Sequence, residues 1–218
     1  LVASLDGKLG ACMTIKAVIF DIGNVLVKWH PEAFYDRVIG APRRQAFFEA
    51  VDMHRHHLTI DEGAPFRETV YALADDYPEW RAEILMWHDN WVELAAPDIP
   101  HSVRLLQALR RNGVAVFALT NFGAENYPLT QEAFPVLKGF DREYVSGRLK
   151  LVKPDPAIYA HVEQDCGIAP EALLFADDRA DNIATATARG WQTHHFTGPQ
   201  GWADRLVAEG LLSTEDAS

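Results

Sequence analysis

Short apolar runs that stop at an acidic or polar residue constrain the fold of this chain most strongly. Residues 15–20 form such a run, rich in β-branched side chains and ending at Asp21, which is typical of a buried strand in a parallel sheet. Similar runs occupy residues 114–119 and 172–176, and a weaker one occupies residues 192–196. All but the weakest end at a polar side chain.

Helical patterns separate these runs. They cover residues 102–111, 156–166 and 181–189. Strands that alternate with helices require right-handed crossovers and form a parallel sheet covered on both faces. The sequence therefore predicts an α/β fold with a Rossmann-like parallel sheet and helices on both of its faces.

The residues that follow the strands carry the candidate chemistry. In parallel α/β sheets, ligands bind beyond the carboxyl ends of the strands, so side chains that follow the strands meet in one crevice. In this chain they are Asp21, Thr120, Asn121, Asp177 and Asp178.

The long segment between the first two strands has no strand pattern. Residues 28–97 show helical periodicity and many aromatic side chains instead. We expect a helical cap inserted over the crevice, with Trp87 and Trp91 in the core of the cap because they lie four positions apart on one helix face. The remaining core would comprise residues 15–27 and 98–218.

Composition narrows the class of protein. The chain has 218 residues and a formal charge of -11, which disfavours nucleic acid as a partner because phosphate binding draws on clustered Lys and Arg. No run approaches the ~18 apolar residues of a membrane helix, and the first residues lack the pattern of a signal peptide. We therefore expect a cytoplasmic protein without a nucleic-acid or membrane partner. A homodimer stays open, since nothing in the sequence reports on oligomeric state.

The two cysteines and the first residues show no metal or redox pattern. Cys12 and Cys166 lie far apart in the sequence, so we expect free thiols in a reducing compartment. Met13 precedes the first predicted strand, and residues 1–14 are interpreted as an amino-terminal extension.

Four short motifs, separated in the sequence, point to the same kind of site. They are FDIGNVL with Asp21, LTN with Thr120 and Asn121, VKPDP with Lys153, and FADDRADN with Asp177, Asp178 and Asn182. Each is weak alone, since a stretch such as DDxxxN is more often a helix cap with surface acids. Their order, strand-end placement and spacing together resemble the four motifs of the haloacid dehalogenase superfamily, over about residues 15–197.

The resemblance has a narrower form. FDIGNVL followed by a helical cap looks like the sugar-phosphate phosphatases related to glucose-1-phosphate phosphatase, and like the amino-terminal domain of soluble epoxide hydrolases. It implies a magnesium-dependent phosphatase that forms an aspartyl-phosphate on Asp21. The substrate would be a small phosphorylated metabolite, with a sugar phosphate as the best candidate.

The residue types suit this chemistry. A carboxylate can attack phosphorus, but it and the phosphate are both anions, so Lys153 and a divalent cation must neutralise charge. Magnesium takes hard oxygen ligands, and one or two carboxylates beside the nucleophile suffice. The expected catalytic residues are Asp21, Thr120, Asn121 and Lys153. The expected magnesium ligands are Asp21, the carbonyl of Gly23, Asp177 and Asp178, with Asn182 supporting them.

One position departs from the family pattern. Most phosphatases of the superfamily have a second aspartate two residues after the nucleophile, which protonates the leaving group and then activates water, whereas this chain has Gly23. Without that acid, aryl phosphates should be hydrolysed faster than alkyl phosphates, unless a cap histidine or the substrate supplies the proton.

Two other functions stay open. A 2-haloacid dehalogenase also lacks the second aspartate, because halide needs no proton, but such enzymes usually have an aromatic residue at the position of Gly23 and no acidic pair like Asp177 and Asp178. A non-catalytic binding protein with a degraded site is the third interpretation. The other catalytic positions, which are filled, argue against it.

A histidine-rich segment, MHRHH, lies in the predicted cap and carries His54, His56 and His57. Its spacing fits no standard zinc pattern, and no cysteine accompanies it. We expect a polar cap surface here, and the functional alternative is contact with the substrate rather than with a metal.

Overall fold

The computed structural model describes residues 14–218. The expected extension therefore lies outside the described residues except for Thr14, and so does Cys12. Cys166 is a free thiol. Within the described part of the chain, no helix is both long enough and apolar enough to cross a bilayer.

One parallel sheet organises residues 14–218. Its strands are β1 (Ala17–Phe20), β2 (Ala115–Thr120), β3 (Arg142–Val145), β4 (Leu173–Asp177) and β5 (Gln192–His195). They lie in the order β3-β2-β1-β4-β5, with β1 paired in parallel to β2 on one side and to β4 on the other. The predicted parallel α/β fold is confirmed, and each of the four predicted strands is present.

The edge strand β3 was not among the predicted strands. Its sequence begins with exposed Arg142 and half-buried Glu143, so it lacks the apolar run that marks a buried strand. β3 lies at the edge of the sheet and pairs with β2 alone, so its first residues can be polar without being buried.

Helices occupy the chain between β1 and β2. They are α1 (Pro31–Ile39), α2 (Ala41–Ala50), α3 (Met53–Asp61), α4 (Phe66–Asp76), α5 (Arg81–Asp89), α6 (Trp91–Leu94) and α7 (Pro100–Arg111). The later helices are α8 (Asn126–Ala133), α9 (Ser146–Leu149), α10 (Pro156–Cys166), α11 (Ala180–Ala188) and α12 (Pro199–Ala208).

The side chains of β1 alternate between two apolar layers. Val18 and Phe20 pack in the layer formed with α7 and α12, whereas Ala17 and Ile19 pack in the layer formed with α10 and α11. All four are fully buried. A central strand that is buried on both faces needs a continuous apolar sequence, which explains why β1 was evident in the sequence.

The two links between helices α1–α6 and the sheet region run side by side. The Lys28 amide donates to the Pro97 carbonyl (2.8 Å), and the Ile99 amide donates to the Leu26 carbonyl (2.8 Å). The chain thus leaves and re-enters the core at adjacent points. We therefore propose a cap at the boundaries that the sequence predicts, residues 28–97.

Hydrogen bonds tie the proposed cap to the loops and helix that follow β2. The indole Nε1 of Trp91 donates to Thr130 Oγ1 (2.8 Å) inside the protein. The Glu125 carboxylate accepts from the backbone amides of Phe66 (2.8 Å) and Arg67 (3.3 Å), at the start of α4. A carboxylate suits a helix amino terminus because the amides there have no partner within the helix. These contacts hold the cap against the carboxyl edge of the sheet.

Candidate active site

The carboxyl ends of β1, β2 and β4 open into one cavity of about 870 Å³. Its lining includes Asp21, Thr120, Asn121, Lys153, Asp178 and Asn182. The structure therefore brings these predicted residues together. The volume falls in the range of small-molecule sites, roughly 300–1,000 Å³. In parallel α/β sheets, ligands bind at the point where the strand order reverses. Here that point is β1, because β2 and β3 lie on one side of it and β4 and β5 lie on the other.

The Lys153 ammonium is buried and has three oxygen partners. Its Nζ donates to the Leu119 carbonyl (2.8 Å) and to Asp177 Oδ2 (2.6 Å), and it lies 2.9 Å from Asp21 Oδ1. Burial is the largest influence on this group and lowers its pKa, but the carboxylates of Asp177 and Asp21 outweigh burial, so the pKa is raised overall. Lys153 is therefore a fixed positive charge beside Asp21.

Asp177 lies beneath the cavity and is completely buried. Its oxygens accept hydrogen bonds from Lys153 Nζ, from Asn182 Nδ2 (3.0 and 2.9 Å) and from the Arg179 amide (2.8 Å). A buried carboxylate is tolerated when it is paired and hydrogen-bonded in this way. Asp177 thereby positions Lys153, and Asn182 supports Asp177.

A cation could be held by the acidic side chains at this edge of the sheet. One oxygen each from Asp21, Asp177 and Asp178 lie within 4.8 Å of one another, and hard oxygen donors of this kind suit magnesium. Because Asp177 already accepts several hydrogen bonds, Asp21 and the half-buried Asp178 are the better-placed ligands. Gly23, two residues after Asp21 in the chain, also lines the cavity.

Asn24 is a site residue that the sequence argument missed. Its Nδ2 donates to Asp178 Oδ2 (3.1 Å), and its Oδ1 accepts from the Trp29 amide (3.0 Å). Its φ of 55° lies in the left-handed region, which asparagine tolerates better than most residues. Asn24 lies inside the FDIGNVL motif. The motif could therefore have indicated a site residue at this position, but not that its side chain is hydrogen-bonded to Asp178.

The nucleophile candidate sits in an environment that disfavours its charge. Burial, together with the charges of Asp177 and Asp178, raises the pKa of Asp21 to about 7 despite the opposing effect of Lys153. A cation bound among these carboxylates would favour the ionised form.

Asn121 and Thr120 have different partners. Asn121 Nδ2 donates to the Lys153 carbonyl (2.9 Å), and the Lys153 amide donates to Asn121 Oδ1 (2.8 Å). This double hydrogen bond fixes the backbone that carries Lys153. Thr120, at the end of β2, is almost fully buried at the cavity wall, where its hydroxyl is available to a phosphate oxygen.

Aromatic side chains form the cap side of the cavity. His57 stacks between Trp29 and Trp91, with ring centroids 5.3 Å from each, and its Nδ1 accepts from the indole Nε1 of Trp87 (3.2 Å). Burial, and to a lesser extent His54, lower the pKa of His57 to about 3. His57 is therefore neutral, and its Nε2 carries the proton because Nδ1 is an acceptor.

The histidine-rich segment divides between cavity and surface. His54 and His57 line the cavity, and His56 is not among the lining residues. The polar surface expected for the whole segment thus does not describe His57, which is sandwiched between indoles. Trp87 is completely buried, as expected for cap core, whereas Trp91 is both buried and part of the cavity wall.

Asp61 is a second residue that the sequence argument missed. It is the last residue of α3, it is buried, and it lines the same cavity as Asp21. An acid in the sequence TIDEG gives no sign of burial, because its position depends on how α3 packs against the core.

Comparison with protein families and curated proteins gives consistent matches. The model of a family described as haloacid dehalogenase-like hydrolase matches residues 15–190. Sesquiterpene phosphatase astK of Aspergillus oryzae is 27% identical over 204 residues, which cover 85% of this chain and 92% of that protein. Drimenol cyclase drtB of Aspergillus calidoustus is 27% identical over 206 residues, but the match spans only 34% of that longer protein.

Solved structures share the fold. The HAD family enzyme bt-2542 of Bacteroides thetaiotaomicron has a TM-score of 0.69 at 21% identity, covering 88% of this chain and 98% of that one. L-2-haloacid dehalogenase of Xanthobacter autotrophicus has a TM-score of 0.57 at 17% identity, covering 93% of this chain and 87% of that one. The same architecture thus occurs in proteins of different names.

Proposed function

The chain belongs to the haloacid dehalogenase-like hydrolases, and from that premise we propose that it is a magnesium-dependent phosphatase that hydrolyses a small phosphorylated metabolite through an aspartyl-phosphate. The observation that carries the proposal is the placement of Asp21 on the cavity wall, 2.9 Å from the Lys153 ammonium and beside a further carboxylate, Asp178.

The reaction would proceed in two steps at Asp21. Its carboxylate oxygen attacks phosphorus, the bond to the leaving oxygen breaks, and water then hydrolyses the aspartyl-phosphate. Lys153 neutralises negative charge on both the nucleophile and the phosphate, while Thr120 donates its hydroxyl to a phosphate oxygen. Magnesium held by Asp21, Asp178 and the Gly23 carbonyl would supply additional positive charge.

The acidic pair favours a phosphatase over a dehalogenase. Asp178 faces the cavity and lies close to Asp21, so the two carboxylates repel each other and repel an anionic substrate unless a cation joins them. A dehalogenase whose carboxylate attacks carbon would gain nothing from that arrangement. Magnesium and inorganic phosphate are bound in one structure of bt-2542, which supports the same choice.

Two classes of substrate are proposed. A sugar phosphate follows from the motif resemblance, and aromatic rings such as Trp29 and Trp91 can stack on a sugar face. The same aromatic wall, continued by Phe122 and by Leu58 at the rim, also favours a phosphate ester of an apolar alcohol. The relative named sesquiterpene phosphatase supports this second candidate. We also propose the cytoplasmic location that the sequence predicts.

A hydrolysis screen distinguishes these functions. Glucose 1-phosphate, a sesquiterpenyl monophosphate, an aryl phosphate and 2-chloropropionate are each assayed with magnesium and with a chelator, using Asp21→Asn as the matched control. We expect phosphate release that requires magnesium and is lost in the control. Chloride release that persists in chelator would instead identify a dehalogenase, and no turnover of any compound would favour a binding protein.

A further inference from the structure

The core offers no acid where related phosphatases have one. Gly23 stands at that position, and a Cβ built there would meet no atom within 4 Å, so the space beside Asp21 is open on the core side. A proton donor, if the site has one, must come from another element that borders the cavity.

We propose that Asp61 of α3 is the general acid and base of this site, protonating the leaving oxygen and then activating water. The inference rests on the proposed phosphatase function and assigns the step that Gly23 leaves without a residue. Three independent observations carry it: where Asp61 lies, what its carboxyl group contacts, and what holds α3 in place.

Asp61 borders the same cavity as the proposed reacting centre. It is only 6% exposed, and it lines the cavity together with Asp21 and Lys153. The charges of Asp21 and Lys153 both act on its carboxyl group. A substrate phosphate between Asp21 and the cap would therefore present its leaving oxygen towards Asp61.

The carboxyl group of Asp61 has an unused position. Its Oδ1 is buried and has no hydrogen-bond partner among residues 14–218, and its nearest basic neighbour, His57 Nε2, lies 3.6 Å away. Buried polar atoms almost always have a partner, so an orphan oxygen in a cavity calls for an explanation. A hydrogen bond with substrate or with the attacking water supplies one.

The groups around Asp61 keep it protonated at neutral pH. Burial is the main cause and, with the negative charges of Asp21 and Glu62, raises its pKa to about 8, against the opposing charge of Lys153. His57 has a pKa lowered to about 3, so it is neutral and adds no positive charge that would favour the ionised form of Asp61. A neutral carboxylic acid can donate the proton that an alkoxide needs.

Close packing fixes the end of α3 against the core. A Cβ at Gly123 would lie 2.5 Å from Ile60 Cγ2, and a Cβ at Gly63 would lie 3.0 Å from the Gly147 carbonyl. Both sides of Asp61 therefore touch core segments at positions where only glycine fits without a shift. This packing fixes the position of Asp61 at the cavity wall, and proton transfer requires such a fixed position.

The proton balance closes over the two steps. In the first, Asp21 forms a bond to phosphorus, the phosphorus–leaving oxygen bond breaks, and the Asp61 proton passes to that oxygen to give the alcohol. In the second, the water oxygen attacks phosphorus while the Asp61 carboxylate takes a proton from that water. The bond between phosphorus and Asp21 then breaks, releasing phosphate and restoring both side chains.

The cap histidines are weaker candidates for this role. His57 has a pKa of about 3, so almost none of it is the imidazolium at neutral pH. His54 lines the cavity but is half exposed and is paired with Glu32 (2.9 Å). Within residues 14–218, Asp61 is a buried acid that lines the cavity and has a carboxyl oxygen with no hydrogen-bond partner.

The test measures kcat/KM for a series of alkyl and aryl phosphates in wild type and in Asp61→Asn. For wild type, kcat/KM should depend weakly on leaving-group pKa. The Asn variant should lose about 10²–10⁴-fold on alkyl phosphates and far less on 4-nitrophenyl phosphate, because a phenolate leaves without help. It should also release a burst of nitrophenol, since hydrolysis of the aspartyl-phosphate loses its base.

Matched variants make the result specific. Glu62→Gln removes the neighbouring exposed carboxylate and should leave the leaving-group dependence of wild type. Asp61→Glu keeps an acid and should recover part of the alkyl activity. Gly23→Asp added to Asp61→Asn should also recover alkyl activity, because the position has space and its φ is not in the left-handed region.

The outcomes separate this inference from the proposed function. Equal loss on alkyl and aryl substrates in Asp61→Asn, with no gain from Asp61→Glu, would overturn the role of Asp61, and so would an unchanged alkyl activity. Either result leaves a working phosphatase. Absence of phosphate release by wild type would instead overturn the proposed function itself.

Discussion

Lys153 Nζ lies 2.6 Å from Asp177 Oδ2, closer than the 2.9 Å that separates it from Asp21 Oδ1. The lysine is thus anchored to a buried carboxylate that is not part of the cavity lining, and it holds its charge beside Asp21 from that anchor. Adjacent residues of the acidic pair consequently have different tasks, with Asp177 holding the lysine and Asp178 facing the cavity.

Replacing Asp177 should mainly affect stability. Asp177→Asn leaves Lys153 buried with one fewer charge partner, and breaking a buried ion pair typically costs about 3–5 kcal/mol. We expect a lower free energy of unfolding in urea by roughly that amount, with a large loss of turnover. An Asn variant as stable as wild type would show that Asp21 and the Leu119 carbonyl suffice to hold the lysine.

Replacing Asp178 should mainly affect magnesium. Asp178 is half-buried and its carboxylate accepts a hydrogen bond from the Asn24 side chain, a bond that an asparagine oxygen can also accept, so Asp178→Asn should change stability little. The concentration of magnesium needed for half-maximal activity should rise steeply, because a ligand carboxylate is lost. Unaltered magnesium activation in this variant would remove Asp178 from the metal site.

Asp61 should make stability depend on pH in a defined direction. Its pKa rises from the ordinary 3.8 to about 8 on folding, so the folded state binds the proton more tightly than the unfolded state. The resulting contribution to the free energy of unfolding is fully present below about pH 4 and is lost as the pH rises to about 8. Asp61→Asn should therefore raise Tm relative to wild type, and the gain should grow from about pH 4 to about pH 8. Scans in chelator check this; a gain independent of pH would contradict a protonated Asp61.

The contact between cap and core should be measurable at Thr130. Thr130→Val removes the acceptor of the Trp91 indole and leaves a buried N–H unpaired, which costs about 1–3 kcal/mol. Thr130→Ser keeps the hydroxyl that accepts this hydrogen bond and serves as the control for a changed side chain at this position. Similar unfolding curves for the Val and Ser variants would mean that this hydrogen bond does not stabilise the cap.

The sequence predicted the parts of the fold that local patterns determine. β1 has a continuous apolar run because it is buried on both faces, and Asp21 follows it at the cavity by the geometry of parallel strands. β3 could not be recognised because it is an edge strand that begins with polar residues, so it lacks the apolar run that marks a buried strand. Asn24 was visible in a motif, but its hydrogen bond to Asp178 connects residues distant in the sequence.

The cap was less predictable than the core. Helices were expected from periodicity, but which of their side chains reach the cavity depends on tertiary packing. His57 reads as a polar surface residue in sequence and is instead neutral between two indoles. Asp61 looks like an ordinary helix-end acid in the sequence, and only the packing of α3 and the turn after it against Gly123 and Gly147 brings it to the cavity wall.

The most direct test of the central claim is to trap the covalent intermediate. Wild type and Asp21→Asn are mixed with an aryl phosphate and magnesium, quenched with acid within one turnover, and digested for mass spectrometry. We expect phosphate on the wild-type peptide at Asp21, and no phosphopeptide and no turnover in the folded Asn variant, which is nearly isosteric and lacks only the nucleophile. Turnover by Asp21→Asn near the wild-type rate, or phosphate found on another residue, would contradict the account.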